Sequence, residues 1–213
     1  VYIDNSVPTF NNCTIRSNTA TNRFGGGIYI TGAASGATIT NSTIGVSGYA
    51  NSANNGGGIY FTGSTSGTLS ISGSTIAYNT TTQPGAGIYI TGITNTTTFT
   101  STSINNNTSS QTAGGIYSSN SVLSFTNCNI NNNATGSTAS YYGGGIYLTG
   151  ASASATISGG TVSGNSGRYG GGIFITGSTA ATPLSISNAT MSSNTGYLGG
   201  AAYLISVTNT VTI

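Results

Sequence analysis

The sequence predicts an all-β chain wound as a parallel β-helix, a β-solenoid of about seven rungs of roughly 29 residues with three short strands in each. Three observations carry that prediction. The stretch Gly25-Gly26-Gly27-Ile28-Tyr29-Ile30-Thr31-Gly32 returns in near-copies at Gly56 to Gly63, Gly85 to Gly92, Ala113 to Tyr117, Gly143 to Gly150, Gly170 to Gly177 and Gly199 to Leu204, and the chain opens on its tail, Val1-Tyr2-Ile3. The first strand residues of the copies, Val1, Ile28, Ile59, Ile88, Ile116, Ile146, Ile173 and Ala202, stand 27, 31, 29, 28, 30, 27 and 29 residues apart. A second apolar position is followed by a third at an unvarying distance in every repeat. Because the repeat runs from end to end, residues 1–213 are read as one continuous, elongated domain.

The first strand of each rung is the recurring stretch itself. Ile28 and Ile30, Ile59 and Phe61, Ile88 and Ile90, Ile146 and Leu148, and Ile173 and Ile175 are apolar at alternate positions, as one buried strand face requires. The residue between them must face outward, and it is Tyr2, Tyr29, Tyr60, Tyr89, Tyr117, Tyr147, Phe174 or Tyr203.

The second strand alternates apolar and hydroxyl residues, as in Leu69-Ser70-Ile71, Leu123-Ser124-Phe125 and Leu184-Ser185-Ile186. Five residues beyond its core residue lies that of the third strand: Phe10 to Ile15, Ile39 to Ile44, Ile71 to Ile76, Phe99 to Ile104, Phe125 to Ile130, Ile157 to Val162 and Ile186 to Met191. This constant spacing marks a rigid corner. Two other all-β architectures fit less well. A propeller blade needs about 40 residues, and a sandwich gives no reason for one invariant spacing.

Three residues past the third-strand core residue stands Asn18, Asn79, Asn107, Asn133, Asn165 or Asn194, with Ser47 as the exception in the second rung. Asn tolerates left-handed backbone angles and bonds its own turn, so the column is expected to close one corner of every rung. The glycines ahead of the first strand permit the complementary turn. Two longer excursions, Gly45 to Asn55 and Asn131 to Tyr142, fall at the same corner, which in solenoids is often the binding side.

Composition narrows the chemistry. Only 2% of residues are charged, namely Asp4, Arg16, Arg23 and Arg168, and Lys, Glu, His and Trp are absent. Nucleic-acid binding needs clustered cations, which three scattered arginines do not supply. General acid–base catalysis and carboxylate or imidazole metal sites lack their usual residues, so no enzyme activity, cofactor or metal is expected. The fixed apolar columns argue against disorder. No apolar run of about 18 residues offers a membrane span. Cys13 and Cys128 occupy one column four rungs apart, about 19 Å at 4.8 Å per rung. They are therefore expected to be free, buried thiols beside Ser42, Ser74, Thr102, Gly160 and Ala189.

Ile76-Ala77-Tyr78-Asn79 followed by Gly85-Ala86-Gly87-Ile88, and Met191-Ser192-Ser193-Asn194 followed by Gly199-Gly200-Ala201, resemble the paired Phe-x-x-Asn and Gly-Gly-Ala-Ile motifs of polymorphic outer-membrane proteins. More broadly the chain is similar to right-handed parallel β-helix adhesins and autotransporter passengers. The resemblance covers nearly the whole chain, departing in Ile, Val or Met for the motif Phe and in the absence of a C-terminal translocator barrel. It implies a right-handed coil, an extracellular or cell-surface location and an adhesive or structural role. It supplies no catalytic residue.

Two surfaces are candidates for function. The outward column Tyr2, Tyr29, Tyr60, Tyr89, Tyr117, Tyr147, Phe174 and Tyr203 makes an apolar strip suited to lateral packing on another copy or to flat sugar faces, unless it serves only as a self-stacking ladder. The second-strand hydroxyls (Thr38/Thr40, Ser70/Ser72, Thr98/Thr100, Ser124/Thr126, Thr156/Ser158, Ser185/Ser187) are similar to the Thr arrays of ice-binding solenoids, though irregular. Eight N-glycosylation sequons occur, at Asn12, Asn41, Asn79, Asn95, Asn106, Asn107, Asn133 and Asn188. The sequence shows no cap at either end, so end-to-end association into a fibre, or membership of a longer protein, is expected. The expected function is thus a non-enzymatic extracellular fibre or adhesin, with a glycan-binding adhesin and an ice-binding solenoid as alternatives.

Overall fold

The computed structural model describes residues 1–136 and 141–213, and all regular structure among them is β. Eight strands, Tyr2–Asp4, Ile28–Thr31, Ile59–Thr62, Ile88–Thr91, Ile116–Ser119, Ile146–Thr149, Ile173–Thr176 and Ala202–Ile205, form one parallel sheet in strict chain order. Its register places Tyr29 beside Tyr60, Tyr60 beside Tyr89 and Tyr89 beside Tyr117, so the repeat is a true spatial repeat. The coils number about seven, spaced about 29 residues apart.

The second and third strands of each coil share a single thirteen-stranded sheet. In two coils they merge into ten-residue strands, Val122–Asn131 and Ser154–Ser163. The constant five-residue spacing is therefore a bend inside one wall, where a rigid corner between walls was expected. Five is odd, so uninterrupted alternation would send the two core residues to opposite faces. A left-handed residue two places after each second-strand core residue resets the phase, as a bulge does. It is Asn12, Asn41, Gly73, Ser101, Asn127, Gly159 or Asn188, with φ of 54°, 47°, 55°, 47°, 52°, 72° and 52°.

A fourth short strand, which the sequence did not reveal, completes the cross-section. Ser52–Ala53, Thr80–Thr81, Thr108–Ser109 and Ala134–Thr135 build a four-stranded parallel sheet, prolonged by bridges from Ser52 to Thr19, Ala134 to Ser166 and Ser166 to Thr195. Two residues are too few to show an alternation, so this wall leaves no periodic trace.

Inside, Ile28, Ile30, Ile39, Ile44, Phe61, Leu69 and Ile76 and their counterparts in the middle coils are fully buried, while those of the terminal coils, such as Phe10, Ile15, Met191 and Leu204, are partly buried. Phe99 and Phe125 stack with centroids 4.7 Å apart. Each such side chain contributes about 1.5–3 kcal/mol through burial, and β-branched residues suit the pleated walls. Among the described residues no helix is long and apolar enough to cross a membrane. The excursion Gly45 to Asn55 contains an antiparallel bridge from Val46 to Tyr49, and the Tyr49 ring carries the Arg16 guanidinium at 4.3 Å. The excursion Asn131 to Tyr142 lies partly outside the described residues.

Candidate interaction surface

The parallel register puts each aromatic of the first wall directly above the last. From Tyr60 through Tyr89, Tyr117 and Tyr147 to Phe174 the rings lie nearly parallel, 5–12° apart, with centroids at 4.8, 4.5, 5.2 and 5.2 Å. Tyr2, Tyr29 and Tyr60 meet edge to face instead, at 5.3 and 5.2 Å. Phe174 and Tyr203 are tilted by 36° at 5.6 Å. All eight residues of the predicted column are thus brought together.

The strip is less open than the sequence suggested. Tyr2 is 65% exposed, but Tyr60 is only 8% and Phe174 only 4% exposed. The cause is a second column, the residue just before each glycine stretch: Phe24, Asn55, Pro84, Thr112, Tyr142, Tyr169 and Leu198. Backbone bridges join Phe24 to Asn55, Tyr142 to Tyr169 and Tyr169 to Leu198. Phe24 stacks on Tyr60 at 4.6 Å, Tyr142 leans on Phe174 at 4.8 Å, and Tyr169 lies 5.9 Å from Tyr203. Sequence reasoning missed this column because its members share a position but no chemistry.

Burial is the main cause that pushes the phenols of Tyr60, Tyr89 and Tyr147 above their usual range and that of Tyr117 up to about 12, with the neighbouring tyrosines adding to it.

The predicted asparagine column is an interior amide ladder. Asn79, Asn107, Asn133 and Asn165 are fully buried. Each donates Nδ2–H to the carbonyl of the preceding coil's third strand (Ile44, Ile76, Ile104 and Ile130) at 2.7–2.9 Å. Each also donates to the Oδ1 of the next Asn at 3.0 Å. Asn18 and Asn194 close its two ends. Two expectations need correcting. In the second coil the column is filled by Asn51, whose Nδ2 donates to Asn79 Oδ1, and not by Ser47; the excursion after Gly45 moves the Asn along the chain but not in space. Nor does the ladder Asn carry the turn itself, since the left-handed residue is the one before it, Ser17, Tyr78, Asn106, Asn132, Gly164 or Ser193. This lets the Asn side chain swing inward. A glycine at the third position of the stretch, in every coil but the last, where Ala201 stands, makes room for it: a Cβ on Gly87 would sit 3.0 Å from Asn107 Nδ2.

The ladder also bears on the sequons, because the amides of Asn79, Asn107 and Asn133 are buried and bonded, whereas Asn12, Asn41 and Asn188 are exposed. Both cysteines are free, but only Cys128 is buried; Cys13, in the first coil, is covered on one side alone and stays partly open, contrary to expectation. The column assignment holds, with Cys13 N–H donating to Ser42 Oγ and Cys128 paired with Gly160.

On the thirteen-stranded wall Thr38, Ser70, Thr98, Ser124, Thr156 and Ser185 stand in register and face outward. Charged groups are sparse: Asp4 accepts from Asn5 Nδ2 at 2.9 Å, and Arg168 lies over the rings of Tyr169 and Tyr197 at 5.5 and 5.0 Å. Among the described residues no three His, Cys, Asp or Glu converge.

A family model described as a right handed beta helix region matches residues 1–197. No curated protein and no solved structure matches the chain.

Proposed function

The chain belongs to the right-handed β-helix family, and from that premise we propose that it is a non-enzymatic structural or adhesive solenoid of an extracellular surface, working through contacts along its walls. The family holds enzymes as well as non-enzymes, so the argument rests on this chain's own residues. One observation carries it: the sequence has a single carboxylate, Asp4, and no His, Lys or Glu, while its outer walls carry columns of phenols and hydroxyls. Polysaccharide cleavage needs a base and a group that stabilises developing charge. Arg16, Arg23 and Arg168 lie in different coils or on separate turns, and none stands beside a carboxylate partner in the sequence.

A parallel ladder extends by repeating the same backbone bonds, which suits membership of a fibre. The aromatic wall suits adhesion to sugars, whose C–H faces pack on rings. The resemblance of the Asn and Gly motifs to those of outer-membrane surface proteins supports the extracellular placement.

The test combines electron microscopy of the purified chain with sedimentation on insoluble glycans, followed by assay of the same mixtures for new reducing ends. The proposal predicts filaments or co-sedimentation without sugar release. Catalytic release of sugar would overturn it.

A further inference from the structure

The two aromatic columns of the first wall meet at Phe24, which packs alone on Tyr29 and Tyr60, and again farther along the coil, where the outer column supplies two rings. Tyr142 and Tyr169 of the outer column and Tyr147, Phe174 and Tyr203 of the ladder, with Thr176 beside them, enclose an open trough of about 470 Å³, within the size range of small-ligand sites. Its rings are set as a continuous lining: Tyr147 and Phe174 are parallel to within 5° at 5.2 Å, Tyr142 stands 4.8 Å from Phe174, and Tyr142 and Tyr169 stack at 5.3 Å. Between these places the outer column holds Asn55, Pro84 and Thr112, so no second aromatic flank forms beside Tyr89 and Tyr117.

We propose that this trough binds a neutral saccharide. The inference rests on the adhesive reading above and adds its site and ligand class. The lining holds no carboxylate to pair a cationic ligand and no ammonium to pair an anionic one, and the cation–π capacity of the Tyr169 ring is already taken by this chain's own guanidinium. The nearby cation, Arg168, is laid over the Tyr169 and Tyr197 rings and donates Nε–H to Tyr169 Oη at 3.3 Å, so it is already engaged. A purely apolar ligand would bury the phenol and Thr176 hydroxyls without hydrogen-bond partners, which costs free energy. An uncharged ring with one C–H face and a rim of hydroxyls satisfies both demands. The exposed ring edges with Leu198 and Ile205 take the face by apolar contact, and the phenols and Thr176 take the rim. The Tyr147 phenol, like any tyrosine, is protonated at neutral pH, and burial raises its pKa further, so it is able to donate.

The full chain is run in affinity electrophoresis through gels containing hydroxyethylcellulose, galactomannan or mixed-linkage β-glucan, and through a gel containing polygalacturonate. The variants Tyr142→Thr and Tyr169→Asn place at those corners the residues that the same column carries as Thr112 and Asn55, so the coil is expected to fold; thermal melts confirm it. Tyr89→Ser removes a ladder ring outside the trough. The proposal predicts retardation by at least one neutral polymer, weakened about tenfold by either trough variant and unchanged by Tyr89→Ser. No retardation by any neutral polymer, or stronger retardation by polygalacturonate, overturns it. Retardation lost with Tyr89→Ser but kept in both trough variants also overturns the trough, while leaving the adhesive reading intact.

Discussion

One oxygen joins two coils twice: Asn107 Oδ1 accepts the backbone N–H of Asn79 at 3.0 Å and its Nδ2–H at 3.0 Å. Asn107 in turn donates to Ile76 O at 2.9 Å and Asn133 Oδ1 at 3.0 Å. Removing the amide leaves buried donors and an acceptor unpaired, each costing about 1–3 kcal/mol. Asn107→Ala is expected to lose more than about 3 kcal/mol in chemical denaturation. Asn95→Ala, at a more open turn where Nδ2 donates to Ser66 O and Gly67 O, should lose under about 1 kcal/mol.

Ala113 takes the place of the first glycine in its coil and keeps that glycine's left-handed angle, φ 57°. A Cβ in this region costs about 1–2 kcal/mol, partly offset by the greater freedom glycine has when unfolded. Ala113 is also fully buried, so Ala113→Gly gives up about 0.8 kcal/mol of methyl burial; the terms nearly cancel, and the variant is expected to match the parent's stability to within about 0.5 kcal/mol in thermal melts.

The pH dependence is one-sided. Because burial raises the folded-state pKa of Tyr60, Tyr89, Tyr147 and Cys128, and that of Tyr117 to about 12, the neutral groups favour the folded state. That contribution is fully present below the unfolded pKa, about 10 for Tyr, and is lost as pH rises through the folded values. With one carboxylate in the chain, melts between about pH 4 and 8 should superpose; the midpoint should begin to fall above about pH 8.5, where the unfolded Cys128 thiol titrates, and more steeply above about pH 10 with the tyrosines.

Thiol reactivity separates the two cysteines. Cys128 is buried and its thiol pKa is raised, chiefly by desolvation, whereas Cys13 is partly open. Since the thiolate is the reactive form, a disulfide reagent should label Cys13 quickly in the native protein and Cys128 only upon unfolding.

Positions that repeat both spacing and residue type were legible in the sequence. Tyr29, Tyr60 and Tyr89 do so, and so do Asn79 and Asn107. Asn51 escaped because the Val46–Tyr49 excursion displaced it along the chain but not in space. The outer column of Phe24, Tyr142 and Tyr169 escaped because Asn55, Pro84 and Thr112 interrupt its chemistry, although its place before each glycine stretch was a usable signal. Asn127 and Gly159 share a positive φ but no side chain, so their common role shows only through the constant offset from the core residue. The openness of the Tyr column depended on that hidden neighbour, which is why the sequence overestimated it.

The stacking of like residues coil on coil is tested most directly by a spin-label distance. With Cys13 and Cys128 changed to Ser, labels at Thr38→Cys and Thr156→Cys sit in one outward column, four register steps apart through Ser70, Thr98 and Ser124. At about 4.8 Å per step the backbones are about 19 Å apart. A narrow distribution near 20–25 Å, allowing about 5 Å for the label arms, is the predicted result; a broad distribution, or one centred beyond about 35 Å, would contradict the coil.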